Sequence, residues 1–243
     1  MISSINSKSP TLLLSNIVFA WGSSTDSFGF TINHFEVGRG ESNILVGRSG
    51  AGKSTLLGIV CGTLKPQRGK TIVLGQNFGE IGGRARDRFR ADHIGIIFQQ
   101  FNLLPYLSAI DNVLLPLNFS ISRKHACGLT KAKCYAEAER LLDSLEIDTK
   151  TVAKQKAVEL SIGQQQRVAA ARAFIGSPEL IIADEPTSSL DEEVQFKFMD
   201  QLFSQQKETG STLLMVSHNP RIAERFNSIT QLDQLITKNK EED

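Results

Sequence analysis

A glycine-rich run that ends in a lysine and a serine is the strongest chemical signal in this 243-residue sequence. The run comprises Gly47, Arg48, Ser49, Gly50, Ala51, Gly52, Lys53, Ser54 and Thr55. Glycines let successive backbone N–H groups turn toward one anion, and a helix that starts there adds partial positive charge. The pattern is a Walker A phosphate loop, in which Lys53 reaches the β- and γ-phosphates of a nucleotide and Ser54 is a ligand of Mg²⁺. The alternative is a glycine-rich turn that only caps a helix.

Two adjacent carboxylates, Asp184 and Glu185, follow the apolar residues 180–183. A continuous apolar run of this length is typical of a strand buried in a parallel sheet. We expect Asp184 to hold Mg²⁺ through its water shell, and Glu185 to polarise the water that attacks the γ-phosphate. The pair therefore predicts a Walker B strand and a hydrolytic nucleotide site.

Two further polar side chains follow apolar runs. Gln99 comes after residues 94–98 and His218 after residues 212–216. Because side chains at the carboxyl ends of strands face the ligand in open α/β sheets, Gln99 is a candidate contact of Mg²⁺ or of the attacking water. The strand before His218 is expected beside the Walker B strand, from where His218 could reach a γ-phosphate. A structural role at a strand end is the alternative for both residues.

Two other features suggest nucleotide contacts. Trp21, the only tryptophan, stands at the end of a predicted strand upstream of the phosphate loop, where its ring could stack on adenine; an ordinary core or edge aromatic is the alternative. Ser161 and Gly163 open an amphipathic helix and form a second candidate anion site without a lysine. Two anion-binding loops imply two ligands or a dimer, whereas a capped helix that binds no ligand is the alternative.

Composition restricts the class of protein. The chain is 40% hydrophobic with a net charge of +1, which suits one α/β domain with room for a lobe and disfavours binding to nucleic acid. No apolar run approaches the roughly 20 residues of a membrane span, and residues 1–10 lack the apolar region of a secretory signal. Cys61, Cys127 and Cys134 match neither a disulfide framework nor a zinc site. We expect a cytoplasmic protein with reduced cysteines.

Hydrophobic periodicity predicts the elements that carry these residues. Strands are expected at 12–14, 17–21, 30–32, 35–37, 44–46, 71–74, 94–98, 180–185 and 212–216, with a helix at 56–60 after the phosphate loop. From about residue 109 to 147 the spacing favours helices, with Asp111 as a helix cap, and indicates a helical lobe inserted in the sheet domain.

The motifs occur together in the order and approximate spacing found in ABC-transporter ATPase subunits. They are the Walker A loop, Gln99, the signature segment Leu160-Ser161-Ile162-Gly163-Gln164, the Asp184-Glu185 pair, Ser189-Leu190-Asp191 and His218. The resemblance extends over roughly residues 12–226. Within that superfamily, residues 98–105 and 164–169 resemble the lipoprotein-release and macrolide-export type, which acts with permeases that carry large extracytoplasmic domains.

The resemblance implies an α/β fold of the P-loop NTPase type: a RecA-like parallel-sheet core, an antiparallel β subdomain and an inserted α-helical subdomain. A flexible N terminus is expected at residues 1–11. The nucleotide-binding core is expected at residues 12–98 and 168–243, and the helical subdomain, with the glutamine and signature loops, at residues 99–167.

The resemblance also assigns roles. It implies that Ser161 and Gly163 bind the γ-phosphate held by a second subunit, that Gln99 couples the site to the helical subdomain, and that His218 is the switch residue. Gln164 and Asp191 belong to the same motifs and are expected to contact the nucleotide. The implied cofactors are ATP and Mg²⁺. The implied partners are an integral membrane permease and a second ATPase subunit, identical or related, which would place the chain at the inner face of the cell membrane.

Two departures from the family pattern stand out. Ile162 occupies a signature position where the family usually has glycine, but Ser161 and Gly163 are intact, so we expect activity to survive. Residues 230–235 replace the usual closing hairpin with its Asp-Gly turn, which leaves open whether a C-terminal hairpin forms.

The sequence therefore predicts an ATP-hydrolysing subunit that dimerises on Mg·ATP and drives a separate permease for export or release of lipoprotein-like, lipid or hydrophobic substrates. One alternative is a non-transport member of the superfamily that regulates a membrane-bound cell-envelope or cell-division partner. A P-loop small-molecule kinase is a second alternative, but such an enzyme has no use for the signature segment.

Overall fold

The computed structural model describes residues 9–22, 28–48, 50–188 and 191–238. Ser49, for which a nucleotide contact is predicted, lies outside the described residues, as do Ser189 and Leu190 and most of the predicted flexible N terminus. The chain divides into two compact units, one of residues 1–86 and 216–243 and the other of residues 87–215. The predicted helical subdomain of residues 99–167 lies wholly within the second unit, and its boundaries stay a prediction.

The helices and strands are numbered here in chain order. They are β1 (Leu12–Ala20), β2 (Gly29–Val37), β3 (Ser42–Val46), α1 (Lys53–Val60), β4 (Arg68–Val73), β5 (Gln76–Asn77), α2 (Gly83–His93), β6 (Ile94–Ile97), α3 (Ala109–Leu114), α4 (Ile121–Ala126), α5 (Lys131–Ser144), α6 (Thr149–Val152), α7 (Ile162–Phe174), β7 (Leu180–Asp184), α8 (Glu192–Thr209), β8 (Thr212–Ser217), α9 (Pro220–Ala223), β9 (Ser228–Gln231), α10 (Leu232–Leu235) and β10 (Thr237–Lys238). Two short 3₁₀ turns, Leu115–Asn118 and Ala157–Glu159, complete the set. Among the described residues, no helix is both long and apolar enough to cross a bilayer.

The first unit contains an antiparallel sheet with the strand order β10-β2-β1-β4-β5. The segments 12–14 and 17–21, predicted as separate strands, form the single strand β1, and Asn16 between them has a positive φ of 50°. Thr11, just before β1, is buried and donates its backbone N–H to the Val37 carbonyl at 2.8 Å. The predicted flexible N terminus therefore includes at least one packed residue.

The first unit also contains the strand that leads into the phosphate loop. This strand, β3, pairs in parallel with β9, and its first four residues are buried. After β9 the chain turns through α10, and β10 then pairs with β2 in the antiparallel sheet. Because β9 and β10 join different sheets, they do not form a hairpin with each other.

The second unit combines parallel strands with a group of helices. Strand β6 pairs in parallel with β7, and β8 follows β7 in the sheet order. These strands are almost entirely buried, as their apolar sequences predict. The last two residues of β8 belong to the first unit.

Helices α3 and α5 pack against α7 in the second unit. The cap predicted at Asp111 is wrong: Ser108 is the N-cap of α3, and its hydroxyl accepts a hydrogen bond from the Asp111 N–H at 3.1 Å. Asp111 instead lies in the first turn, where its negative charge interacts favourably with the helix dipole. The far end of α7 is held by the buried Arg123, which donates to the carbonyls of Ala173 and Ile175. Burial lowers the pKa of Arg123 to about 10.

One ion pair in the second unit should make stability depend on pH. His93 Nδ1 lies 3.1 Å from Glu179 Oε2, and this hydrogen bond is the main cause of a raised His93 pKa. Partial burial opposes the rise, and the charges of Glu179 and Asp92 reinforce it. A histidine with a raised folded-state pKa stabilises the fold fully below its unfolded pKa of about 6.5, and this contribution is lost as pH rises through the folded value. Both side chains are partly exposed, so the contribution is below about 1 kcal/mol.

We expect His93→Gln to lower the melting temperature at about pH 5.5 and to have little effect at about pH 9. Thermal unfolding of the purified chain and the variant at both pH values measures this difference. His125→Gln, which removes an exposed histidine without an acidic partner among the described residues, is the control. An equal effect of His93→Gln at both pH values would contradict the assignment.

Candidate nucleotide site

The phosphate loop has the strand–loop–helix context that its sequence predicts. Strand β3 ends at Val46, and α1 begins with Lys53. Gly50 has a φ of 75°, and Gly52, the N-cap of α1, has a φ of 102°. These left-handed conformations strain any other residue type, so the glycines are what let the backbone curl ahead of the helix.

Lys53 is buried against its own loop. Its ammonium group donates to the Gly47 carbonyl at 2.8 Å and to the Arg48 carbonyl at 3.4 Å. Gly47 is needed here for packing, because a Cβ at this position would lie 2.9 Å from the Cβ of Leu232 on α10. The positive charge is thereby fixed on the loop backbone.

Trp21 lies beside the phosphate-loop helix. Its indole N–H donates to the Thr55 hydroxyl at 3.3 Å, and its ring meets Phe19 edge to face at 5.4 Å between centroids. Half of its surface is exposed (50%). The structure thus brings Trp21 and Thr55 together and keeps an aromatic surface accessible beside α1, as a base-stacking role requires.

The residues of the loop fit a nucleoside triphosphate. A Cβ at Gly50 would project into open space. The first turn of α1 contains no acidic residue, so no carboxylate there would repel a phosphate near the N-terminal N–H groups of the helix. Of the residues predicted to hold the metal, Ser54 in the first unit has an exposed hydroxyl, and Asp184 in the second unit is half-buried. Within the described ranges, no group of three or more histidine, cysteine or acidic side chains could hold a metal by itself. A hydroxyl and a carboxylate are each the kind of oxygen donor that suits Mg²⁺, which keeps water and phosphate oxygens among its ligands.

The two carboxylates of the second unit stand at the end of β7. Asp184 is its last residue, and Glu185 follows with a positive φ of 45°, which is rare for a residue with a side chain. The next residue, Pro186, accepts a hydrogen bond at 2.6 Å from the buried side-chain amide of Gln166 on α7. Helix α7 therefore fixes the chain where it leaves the strand that carries the carboxylates.

Gln99 is exposed and follows β6 by two residues. The backbone then turns through Phe101 and Asn102, whose φ angles are 59° and 49°. Arg172 of α7 donates to the carbonyls of both residues. Further along, the side chain of the fully buried Asn112 exchanges hydrogen bonds with the Leu104 N–H and C=O, at 2.8 Å and 3.1 Å.

The signature segment begins α7. Ser161 is the N-cap: its hydroxyl accepts from the Gln164 N–H at 3.3 Å, while the Gln164 side chain accepts from the Ser161 N–H at 2.9 Å. Both Ser161 and Ile162 are exposed. Apart from its chain neighbours, a Cβ at Gly163 would meet only the end of the Arg167 side chain, at 3.6 Å. The start of α7 is thus capped by Ser161 and is also accessible to solvent.

The remaining predicted residues lie at element ends. Asp191 is the N-cap of α8, without a capping hydrogen bond from its side chain. His218 directly follows β8, the strand beside β7. Their nucleotide contacts stay predictions.

Sequence reasoning missed three buried polar residues that fix the loops, namely Asn112, Gln166 and Arg172. One sequence signal could have identified Asn112: it is a polar residue on a helix whose neighbouring residues Ile110 and Val113 are apolar. Their partners are backbone groups, which sequence spacing does not reveal.

Comparisons with known proteins identify the family. The family model described as "ABC transporter" matches residues 31–188. The Escherichia coli K12 protein named as an uncharacterized ABC transporter ATP-binding protein, YbbA, is 41% identical over 196 residues, which cover 81% of this chain and 82% of that protein. The lipoprotein-releasing system ATP-binding protein LolD of Paramagnetospirillum magneticum is 35% identical over 201 residues, or 83% and 85% of the two chains.

Solved structures agree with the sequence comparisons. The ATP-binding cassette MJ0796, in a dimeric post-hydrolysis state bound to ADP and phosphate, superposes with a TM-score of 0.78 at 30% identity, covering 94% of this chain and 99% of that one. The predicted P-loop NTPase fold is confirmed. The glycine-framed loop before α1 and the carboxylates after β7 are accordingly parts of an ATPase, and this chain belongs to the ABC transporter family as an ATP-binding subunit.

Proposed function

We propose that two copies of this ATPase close head to tail on two Mg·ATP molecules and thereby drive a separate membrane permease that exports or releases lipoprotein-like, lipid or other hydrophobic substrates. In this proposal each nucleotide contacts Lys53 and Trp21 of one copy and Ser161 and Gly163 of the other. A related subunit in place of the second copy would give the same arrangement.

The solvent-exposed N-terminus of α7 is the observation that supports the dimer. Ser161 and Ile162 are exposed, and Ile162 leaves 56% of an apolar side chain in solvent. An exposed apolar residue next to free helix N–H groups fits a surface that meets both a protein and an anion. MJ0796, which superposes on 94% of this chain, is described as dimeric.

The roles proposed for the side chains follow from their chemistry. The Lys53 ammonium neutralises the β- and γ-phosphates, and Ser54, Asp184 and Gln99 hold the Mg²⁺ ion directly or through water. Glu185 takes a proton from the attacking water as it adds to the γ-phosphorus. His218, at the end of β8, stabilises the charge that develops on the transferred group. Bound Mg²⁺ supplies Lewis-acid polarisation of the phosphoryl oxygens.

The substrate class is proposed from the relatives. Two LolD proteins, named for lipoprotein release, are 35% and 36% identical to this chain over more than four fifths of its length. The test is to crosslink the full chain in membranes of its source, identify the bound permease and reconstitute the complex in liposomes. ATP-dependent release of a triacylated lipoprotein, but not of its unacylated form, is expected; equal handling of the two forms would overturn the substrate class and leave the ATPase assignment intact.

The role of Glu185 gives the first prediction for the site. Glu185→Gln preserves the shape of the side chain but removes the base, so we expect hydrolysis to fall by about 10²–10⁴-fold while ATP binding is retained. The variant should accumulate as an ATP-bound dimer, measured by light scattering after gel filtration. Glu139→Gln, on the exposed face of α5, is the matched control and should behave as wild type. A Glu185→Gln variant with near wild-type turnover would exclude the proposed base.

The shared pocket gives the second prediction. Lys53→Ala removes the charge from the phosphate loop, and Ser161→Arg places a bulky cation where the partner's γ-phosphate is proposed to lie. Each variant alone should lack ATPase activity, although Ser161→Arg should still bind ATP as a monomer. Mixing them should restore part of the wild-type rate, because each mixed dimer contains one intact pocket; random pairing of equal amounts would make about half of the pairs mixed and give about a quarter of the wild-type rate.

ATPase rates of the two variants and of their mixture, with the permease present if the isolated chain is inactive, are the measurement. The control is Lys70→Ala, which removes an exposed lysine of β4 in place of Lys53. This variant alone should keep the wild-type rate. Wild-type hydrolysis by monomeric Ser161→Arg alone would refute the shared pocket.

A further inference from the structure

Arg172 is a buried cation whose hydrogen-bond partners are main-chain carbonyls. It lies on α7 with 9% of its surface exposed. One terminal nitrogen donates to the Asn102 carbonyl at 2.6 Å, and the other donates to the Phe101 carbonyl. No carboxylate of the described residues lies within ion-pair distance of its guanidinium. Burial accordingly lowers the Arg172 pKa, and no opposing charge offsets that effect.

Burying an arginine without a counter-charge costs free energy. We therefore ask what the two hydrogen bonds of Arg172 do for the structure around them. A guanidinium holds its N–H groups in a rigid planar fork, and two nitrogens of this fork reach the carbonyls of successive residues. That geometry fixes the orientation of both peptide groups at once.

The turn that Arg172 holds is strained. Phe101 and Asn102 both have left-handed backbones, with φ angles of 59° and 49°, and neither is glycine. Local hydrogen bonds, from the Phe101 N–H to Phe98 and from the Asn102 N–H to Gln100, close the turn. Consecutive left-handed residues with side chains persist only where surrounding contacts stabilise them.

The position of the turn connects it to the reaction. Gln99 stands between the end of β6 and the first strained residue, so β6 fixes one side of Gln99 and the turn fixes the other. Beyond the turn, Asn112 holds Leu104 by two hydrogen bonds. The direction in which Gln99 projects therefore depends on whether the Phe101–Asn102 turn stays left-handed.

We propose that Arg172 is a positioning residue for Gln99: by holding the carbonyls of Phe101 and Asn102, it ties the helix that begins with the signature segment to the loop that presents Gln99. The proposal rests on the proposed contact of Gln99 with Mg²⁺ or the attacking water. A signature segment engaged by a second copy would then act on Gln99 through α7.

The primary variant is Arg172→Lys, which keeps the cation but replaces the rigid fork of two nitrogens by a single ammonium nitrogen, so the two carbonyls are no longer held in a fixed orientation. We expect kcat for ATP to fall about tenfold to a hundredfold, because a displaced catalytic contact has an effect of this size, with the dissociation constant for ATP unchanged. Arg140→Lys is the matched control, since Arg140 pairs with Glu137 and Glu208 on the surface and should leave kcat unchanged. A kcat equal to wild type in Arg172→Lys overturns the proposal.

Substitutions at the exposed Asn102 separate positioning from general packing. Glycine adopts the left-handed backbone without strain, whereas alanine does so less readily than asparagine. Asn102→Gly should therefore restore part of the lost kcat in the Arg172→Lys background, and Asn102→Ala with Arg172 intact should lower kcat. If Asn102→Gly gives no rescue and the loss of kcat follows the loss of melting temperature across the set, Arg172 is only a structural residue.

Amide hydrogen exchange provides a readout that does not need activity. The N–H groups of Phe101 and Asn102 are hydrogen bonded within the turn, so their exchange should accelerate in Arg172→Lys and slow again in the double variant with Asn102→Gly. Unchanged exchange at these amides overturns the proposal whatever the ATPase rates. If exchange accelerates in Arg172→Lys but the unaltered chain shows no Mg²⁺-dependent ATP hydrolysis, the proposed function is wrong while the role of Arg172 in the turn stands.

Discussion

The backbone directly after a parallel strand has to turn sharply while it presents a reactive side chain, and this constraint organises the second unit of the ATPase. After β6 and after β7, the turns contain residues with positive φ: Phe101 and Asn102 after Gln99, and Glu185 itself. Such conformations are unfavourable for residues that carry a Cβ. Helix α7 offsets that cost by hydrogen bonds to the carbonyls of both turns, from Arg172 and from Gln166.

The phosphate loop solves the same problem with a different residue type. Its left-handed positions are Gly50 and Gly52, which adopt this conformation without strain. The loop therefore needs no side chain from elsewhere to hold its curvature, and its own Lys53 makes hydrogen bonds to its carbonyls. A loop that cradles phosphate with backbone N–H groups can have glycine at its left-handed positions. The turns of the second unit have Phe101, Asn102 and Glu185 at theirs, and hence depend on an external support.

This difference explains how much of the site could be predicted from the sequence. The glycine spacing of the phosphate loop and the apolar runs of β3, β7 and β8 depend on local chemistry, so sequence alone located them. The support from Arg172 joins residues about 70 positions apart, and no local pattern reports such a contact. The cap of α3 is mispredicted because serine and aspartate are both good N-cap residues. The backbone conformation shows that Ser108, and not Asp111, caps α3. The continuity of β1 through Asn16 depends on its pairing with β2 and β4, which is also non-local.

The start of α7 shows why a capped helix and an anion site are not exclusive alternatives. The Ser161 hydroxyl accepts the Gln164 N–H, which uses one lone pair and leaves its O–H free to donate. The backbone N–H groups of Ile162 and Gly163, at the first two helical positions, have no acceptor within the helix. Capping thus fixes the direction in which these donors point, and it does so before any phosphate arrives. Ile162 adds an exposed branched side chain next to these donors. Apart from its chain neighbours, a Cβ at Gly163 would meet only the end of the Arg167 side chain. The departure from the family pattern at this position changes the apolar surface around the donors and leaves the donors themselves in place.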